Sequence, residues 1–219
     1  MIKKAVIDYS AFLDPDGKEI LKEVTVVEVD SKCEQHWIFR APKDGFNDWS
    51  GPKTAIKHNC WLSKHYHGLD FYSGYSDHES LLSSLNTVCS EMRLLYAENA
   101  AKARGLERLF NGSRVVFSLE ALGCTLLARD VEPCPSDRSD QVGYDTVDCG
   151  EDTPRRQVQQ DEEEVEVQVP LVNRPCLYHS VHAPGFICTR EKARDLADWC
   201  SKNPHLVDMN DPAIREKTF

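Results

Sequence analysis

The sequence predicts an α/β protein in which an antiparallel meander continues into parallel strands and helices flank the resulting mixed sheet. Three observations carry that reading. Three strand-like runs come first, joined by short connections. Helices and strands then alternate as far as residue 119, and a last amphipathic helix follows a long acidic stretch. At 219 residues with 41% hydrophobic content, the chain is expected to form one domain, residues 1–219, with residues 129–173 as a disordered acidic insert.

The first strand is expected over Ala5 to Phe12. Asp14, Pro15, Asp16 and Gly17 spell a tight turn, with Pro at its second position and Gly at its last. From Glu19 to Val29, Ile20, Val24, Val26 and Val29 alternate with polar residues, the pattern of a half-buried second strand. His36 to Arg40 makes the third. Thr54 to Tyr66 has apolar residues near helical spacing, and Gly68 suits the left-handed residue that ends a helix. Ser76 or Asp77 caps a second helix striped by Leu81, Leu82, Leu85 and Val88. Met92 to Ala97 is a short strand, Asn99 to Phe110 a helix, and Arg114 to Leu119 a parallel strand. Cys188 to Ser201 forms the final helix, with Ala193, Leu196, Ala197 and Cys200 three and four apart.

The net charge of -10 argues against a broad electrostatic grip on nucleic acid, which needs clustered Lys and Arg. Much of that charge sits between Asp137 and Glu166, where eleven acids face three arginines, so the remainder is near neutral. The acidic run from Asp161 to Glu166 is a solvated segment or a surface for a protein partner. Nine cysteines invite a disulfide framework. Their odd number, and a first strand that begins almost at Met1 with no leader-like stretch, point instead to a reduced, intracellular protein of the cytoplasm or nucleus. No run approaches the length of a membrane span.

The densest chemistry lies between Cys176 and Cys200. Cys176 and His179 stand three apart, and Cys188 opens the last helix. A C-x2-H pair supplies two corners of a zinc tetrahedron, and Cys188 a third. Cys124, at the end of an apolar run, is the candidate fourth ligand, with His182 as its substitute. Four protein ligands would close the site to water, making the Zn2+ structural. Lys53, Lys57 and Lys64 give one basic face that suits phosphates or plain solvent. No phosphate loop, nucleophile elbow or dinucleotide fingerprint is present.

The order β-β-β-α-α-β-α-β-α is the RNase H-like layout, which periodicity alone does not separate from other α/β sheets; in that order the chain resembles the DEDD 3′–5′ exonuclease superfamily over nearly everything except the insert. In that family four acids hold two divalent metals that clamp the attacking and leaving oxygens of a phosphodiester. Asp8 matches the first acid, but Ser10 stands where a Glu belongs. Asn99 is kept in the second signature, with Ala103 in place of the Asp. On the last helix Cys188 and Ala193 stand near the family's His and Asp. The resemblance therefore implies a degenerate centre in which Asp8 is a remnant. The alternative is an active metal-dependent nuclease using Asp8 with Asp195 or Asp198. The chain also resembles the Maelstrom domain of germline small-RNA proteins, an exonuclease-like fold that has lost its acids and carries a Glu-Cys-His-Cys zinc site. Cys176, His179 and Cys188 match that set; its Glu has no evident counterpart, and Cys124 stands in. This resemblance implies a pseudoenzyme that binds RNA or a protein partner in RNA silencing or a mobile-element pathway. In the exonucleases the region corresponding to residues 67–74 lines the nucleic-acid groove, which makes His67, Phe71 and Tyr72, with Lys57 and Lys64, the candidate nucleic-acid-binding residues.

Overall fold

The computed structural model describes residues 2–42, 53–126, 179 and 188–207. Its five strands are β1 (Lys4–Leu13), β2 (Glu19–Glu28), β3 (Glu34–Ile38), β4 (Leu94–Ala97) and β5 (Val116–Ser118). They lie in the order β3-β2-β1-β4-β5. The meander β1–β2–β3 is antiparallel, whereas β4 pairs parallel to β1 and β5 parallel to β4. The expected mixed α/β sheet is thus present. Its helices are α1 (Lys53–Trp61), α2 (Leu81–Cys89), α3 (Ala100–Leu109), α4 (Thr189–Lys202) and α5 (Pro204–Val207). The insert expected at residues 129–173, and Cys176 and His182, lie outside the described residues.

The strand alternation sorts two cores. Ala5, Ile7, Tyr9, Val24, Val26, Leu95 and Ala97 meet Leu81 and Leu85 of α2 and Ala103 and Leu106 of α3 on one side. Val6, Val27, Leu94 and Tyr96 meet Ala193, Leu196, Ala197 and Cys200 of α4 on the other. Helices on both faces explain why β1 is buried almost end to end. They also correct the expectation of a half-buried β2: Glu23 and Thr25 are both fully buried. The single turn α5 adds a lid that the sequence pattern does not announce, with the Tyr96 hydroxyl donating to the Val207 carbonyl at 2.6 Å.

Local chemistry fixes the edges. The Asp14 carboxylate accepts from the amides of Asp16 at 2.9 Å and Lys18 at 2.7 Å, setting the β1–β2 turn. The Asn99 side chain caps α3 by accepting from the Lys102 amide at 2.9 Å. Lys22 is an extra residue in β2, because Ser10 pairs with Glu23 while Ala11 pairs with Leu21. The bulge sends its ammonium inward to the carbonyls of Phe39 and Phe71, both at 2.7 Å, and of Ser73. Burial pushes this lysine down to about 8. The helix expected over residues 54–66 is α1 followed by a π turn, Leu62–Tyr66, closed by the His67 amide on the Leu62 carbonyl at 2.9 Å. Gly68, at φ 66°, ends it in the left-handed region as expected.

Candidate metal centre and the buried acidic pair

The N-terminus of α4 meets β2 at Glu23. Cys188 is the N-cap residue of α4 and its own side chain does not cap the helix. Glu23 does so from the neighbouring strand, its Oε2 accepting the Thr189 amide at 3.3 Å. A bond of 2.8 Å between the Thr25 and Thr189 hydroxyls holds the same junction one pair further along. Below it, Glu34 of β3 accepts from Arg190 Nε at 2.7 Å and from Arg194 Nε at 2.6 Å and Nη2 at 2.7 Å. That paired fork anchors the first two turns of α4 to the meander.

Around Glu23 stand three further groups. The Cys188 thiol lies 3.3 Å from its Oε1 and His179 Nε2 lies 3.4 Å from its Oε2. His36 Nε2 lies 2.8 Å from Oε1. One ligand atom from each of Glu23, His179 and Cys188 falls within 4.8 Å of the others. Zinc bonded to oxygen, nitrogen and sulfur at ordinary lengths in a tetrahedron separates its donors by about 3.3–3.5 Å. The Cys188 distance of 3.3 Å runs to Oε1 and the His179 distance of 3.4 Å to Oε2, so the carboxylate faces both other donors at separations of that order, one through each oxygen. A carboxylate with no exposed surface, a thiol and an imidazole are also the donor set zinc takes. The group can hold a metal ion.

Two ligands expected from the sequence, His179 and Cys188, therefore meet; Cys176 is outside the described residues. Cys124 does not join them. It is buried in the α4 core with Leu119, Ala197 and Cys200. Cys200 lies twelve residues beyond Cys188 on the same helix, a rise of about 18 Å. Its place is taken by Glu23, which sequence reasoning passed over as a polar position on a half-exposed strand. The available signal was an acid in phase with Thr25, Val27 and Val29.

The second cluster lies at the carboxyl ends of the parallel strands. Val6 pairs with Tyr96, so Asp8 and Glu98, two residues further along each strand, are neighbours across the seam. Both are buried. Lys102 of α3 reaches Asp8 at 2.5 Å and Glu98 at 2.9 Å, and Lys192 of α4 bonds Glu98 as well. Burial alone would lower Lys102, but the two carboxylates overcome it and hold the ammonium well above its usual range. Asp8 is thus satisfied by an ammonium inside the protein. Asp195 and Asp198 are exposed on the outer side of α4, and Asp198 pairs with Lys32 at 2.8 Å. The acids expected to join Asp8 in a nuclease centre do not face it.

The expected nucleic-acid-binding residues divide. Lys57, Lys64 and Tyr72 are exposed. His67 and Phe71 are buried, at 1% and 2% exposure, and cannot stack on a base. The π turn is the reason for the first: its wide turn feeds His67 inward, where the ring packs edge-on to Phe12 at 4.8 Å. His67 Nδ1 accepts the Leu69 amide at 3.1 Å, so Nε2 carries the proton. Burial, with His179 and Lys22 nearby, pushes His67 down to about 3 and keeps it neutral. Among the described residues no helix is long and apolar enough to cross a membrane. Comparison with protein-family models, with curated proteins and with solved structures finds no match.

Proposed function

We propose that this chain is a zinc-braced, catalytically degenerate member of the exonuclease-like, RNase H-like folds, akin to the Maelstrom domain, and that it works by binding RNA. The observation that carries the reading is the meeting of Glu23, His179 and Cys188 at the start of α4. Cys176, three residues before His179, is the natural fourth ligand, completing a Glu-Cys-His-Cys set. With four protein ligands the metal has no open position and its role is structural. It ties β2 to α4 and closes the long connection that begins after β5.

Loss of chemistry is supported by the fate of Asp8, which is engaged by Lys102. Binding to RNA is supported by residues 53–69, which hold Lys53, Lys57 and Lys64 and no acid in a chain of net charge -10. Lys57 and Lys64 offer cations to phosphates and the exposed Tyr72 a stacking face.

Two measurements on the purified full chain test this. Elemental analysis is expected to give one zinc per chain. Anisotropy of labelled single-stranded RNA is expected to show binding that Lys57→Glu with Lys64→Glu weakens, lowering the salt slope by roughly 0.7 for each phosphate left without its lysine. Zinc-free folded protein overturns the first half. Binding indifferent to the two lysines, or RNA cleavage that EDTA stops and Asp8→Ala abolishes, overturns the second. Partner capture abolished by deleting residues 136–168 would assign the role to protein recognition instead.

A further inference from the structure

The carboxylate of Glu23 is held on both oxygens. Thr189 donates its backbone N–H to Oε2 at 3.3 Å, and His36 lies 2.8 Å from Oε1. We propose that His36 is the positioning residue of the metal centre: its Nε2–H fixes the plane of the Glu23 carboxylate and so the direction in which that ligand meets the ion. The inference rests on the metal reading above.

His36 stands outside the ligand set. Glu23, His179 and Cys188 have donor atoms within 4.8 Å of one another, and His36 is not part of that group. A carboxylate only accepts hydrogen bonds, so the nitrogen 2.8 Å away must carry the proton and has no lone pair for a metal. His36 sits on β3 opposite Thr25, whose hydroxyl bonds the first residue of α4. Its backbone is thus set by the sheet, and its side chain, 14% exposed, covers the buried carboxylate. A helix amide on one oxygen and an imidazole on the other stop the carboxylate from rotating. Outer partners of this kind typically change metal affinity about 10–100-fold.

The test compares His36→Phe, which fills the volume without a donor, with His36→Gln, whose amide places an N–H near the same point. Zinc affinity is read by competition with a chromophoric chelator. The ligand field is read from the visible spectrum of the Co2+-loaded full chain, which a merely structural role would leave unchanged. Melting temperatures of the metal-free forms report folding separately. His36→Phe is expected to bind zinc about 10–100-fold more weakly with a shifted Co2+ spectrum, and His36→Gln to stay within about threefold of the parent. Parent-like affinity and spectrum in His36→Phe, or equal weakening in both variants, overturns the proposal and leaves the metal centre standing. A parent chain that binds neither ion overturns both.

Discussion

Replacing Lys102 by Met keeps the length of the side chain and removes the ammonium that bonds Asp8 at 2.5 Å. Asp8 is 1% exposed, so water cannot take over. The stranded carboxylate has two ways out. It can stay charged without a partner, which costs about 3–5 kcal/mol. Or it can take a proton, at about 1.4 kcal/mol for each pH unit above its ordinary value. From 3.8 to neutral pH that is about 4 kcal/mol, so both routes put the loss at pH 7 near the same figure. At pH 5 protonation costs only about 1.6 kcal/mol, and the deficit should shrink accordingly. The sign follows from linkage. Burial already holds Asp8 above its ordinary value against the pull of Lys102, and removing the ammonium raises it further, so the folded variant binds more protons over a wider window and its stability falls more steeply as pH rises through it. Glu98 keeps Lys192 and adds little to this trend. Urea unfolding followed by circular dichroism at pH 5, 6 and 7 reads the effect. The pair Lys102→Met with Asp8→Asn should regain most of the loss and flatten the pH dependence. A deficit below about 1 kcal/mol at pH 7, or one that does not change with pH, would show that the ammonium is not what satisfies Asp8.

Glu34→Gln should remove about 1–3 kcal/mol at pH 7 by loosening the grip of Arg190 and Arg194. Burial raises Glu34, but its bonds to the two arginines outweigh that and hold it below the ordinary 4.5. Its contribution is therefore present above that value and lost as pH falls through the folded one, so melts of parent and variant should converge in acid. Cys188→Ala should abolish zinc binding while Cys124→Ala leaves the stoichiometry unchanged; the opposite result in an elemental assay would restore Cys124 to the ligand set. Gly74→Ala should destabilise by at least about 1–3 kcal/mol in a thermal melt. Its φ is +136°, and a Cβ there would stand 2.7 Å from the Phe39 carbonyl carbon and 2.8 Å from the Arg40 nitrogen.

Strands and helices were legible where packing and local chemistry agree. Asp14 to Gly17 names its own turn, Asn99 its own cap and Gly68 its own helix end. The π turn was not legible, because one extra residue in Leu62–Tyr66 leaves the apolar spacing nearly unchanged while reversing the fate of His67. At the candidate metal centre, Cys188 and His179 stand out as residue types, whereas Glu23 is one acid among many until the second face of β2 is seen to be covered. Lys102 was hidden for a related reason. The resemblance to exonucleases draws the eye to Ala103, and the side chain that answers Asp8 is its immediate neighbour.

The helix that covers Val6, Leu94 and Tyr96 starts at Thr189, whereas the five strands among the described residues are complete by Ser118. During synthesis the sheet can therefore assemble with one apolar side bare for the time needed to add some seventy further residues, roughly 4–14 s at ordinary elongation rates. Over that interval the nascent chain presents a sticky surface that a chaperone, or another ribosome's product, can reach before its own helix does. A chain ending at residue 126 should accordingly bind a hydrophobic dye and self-associate where the full chain does not. On the metal reading proposed above, the thiol and imidazole that emerge at or just ahead of that helix would let an ion catch it on arrival, giving such an ion a part in biogenesis.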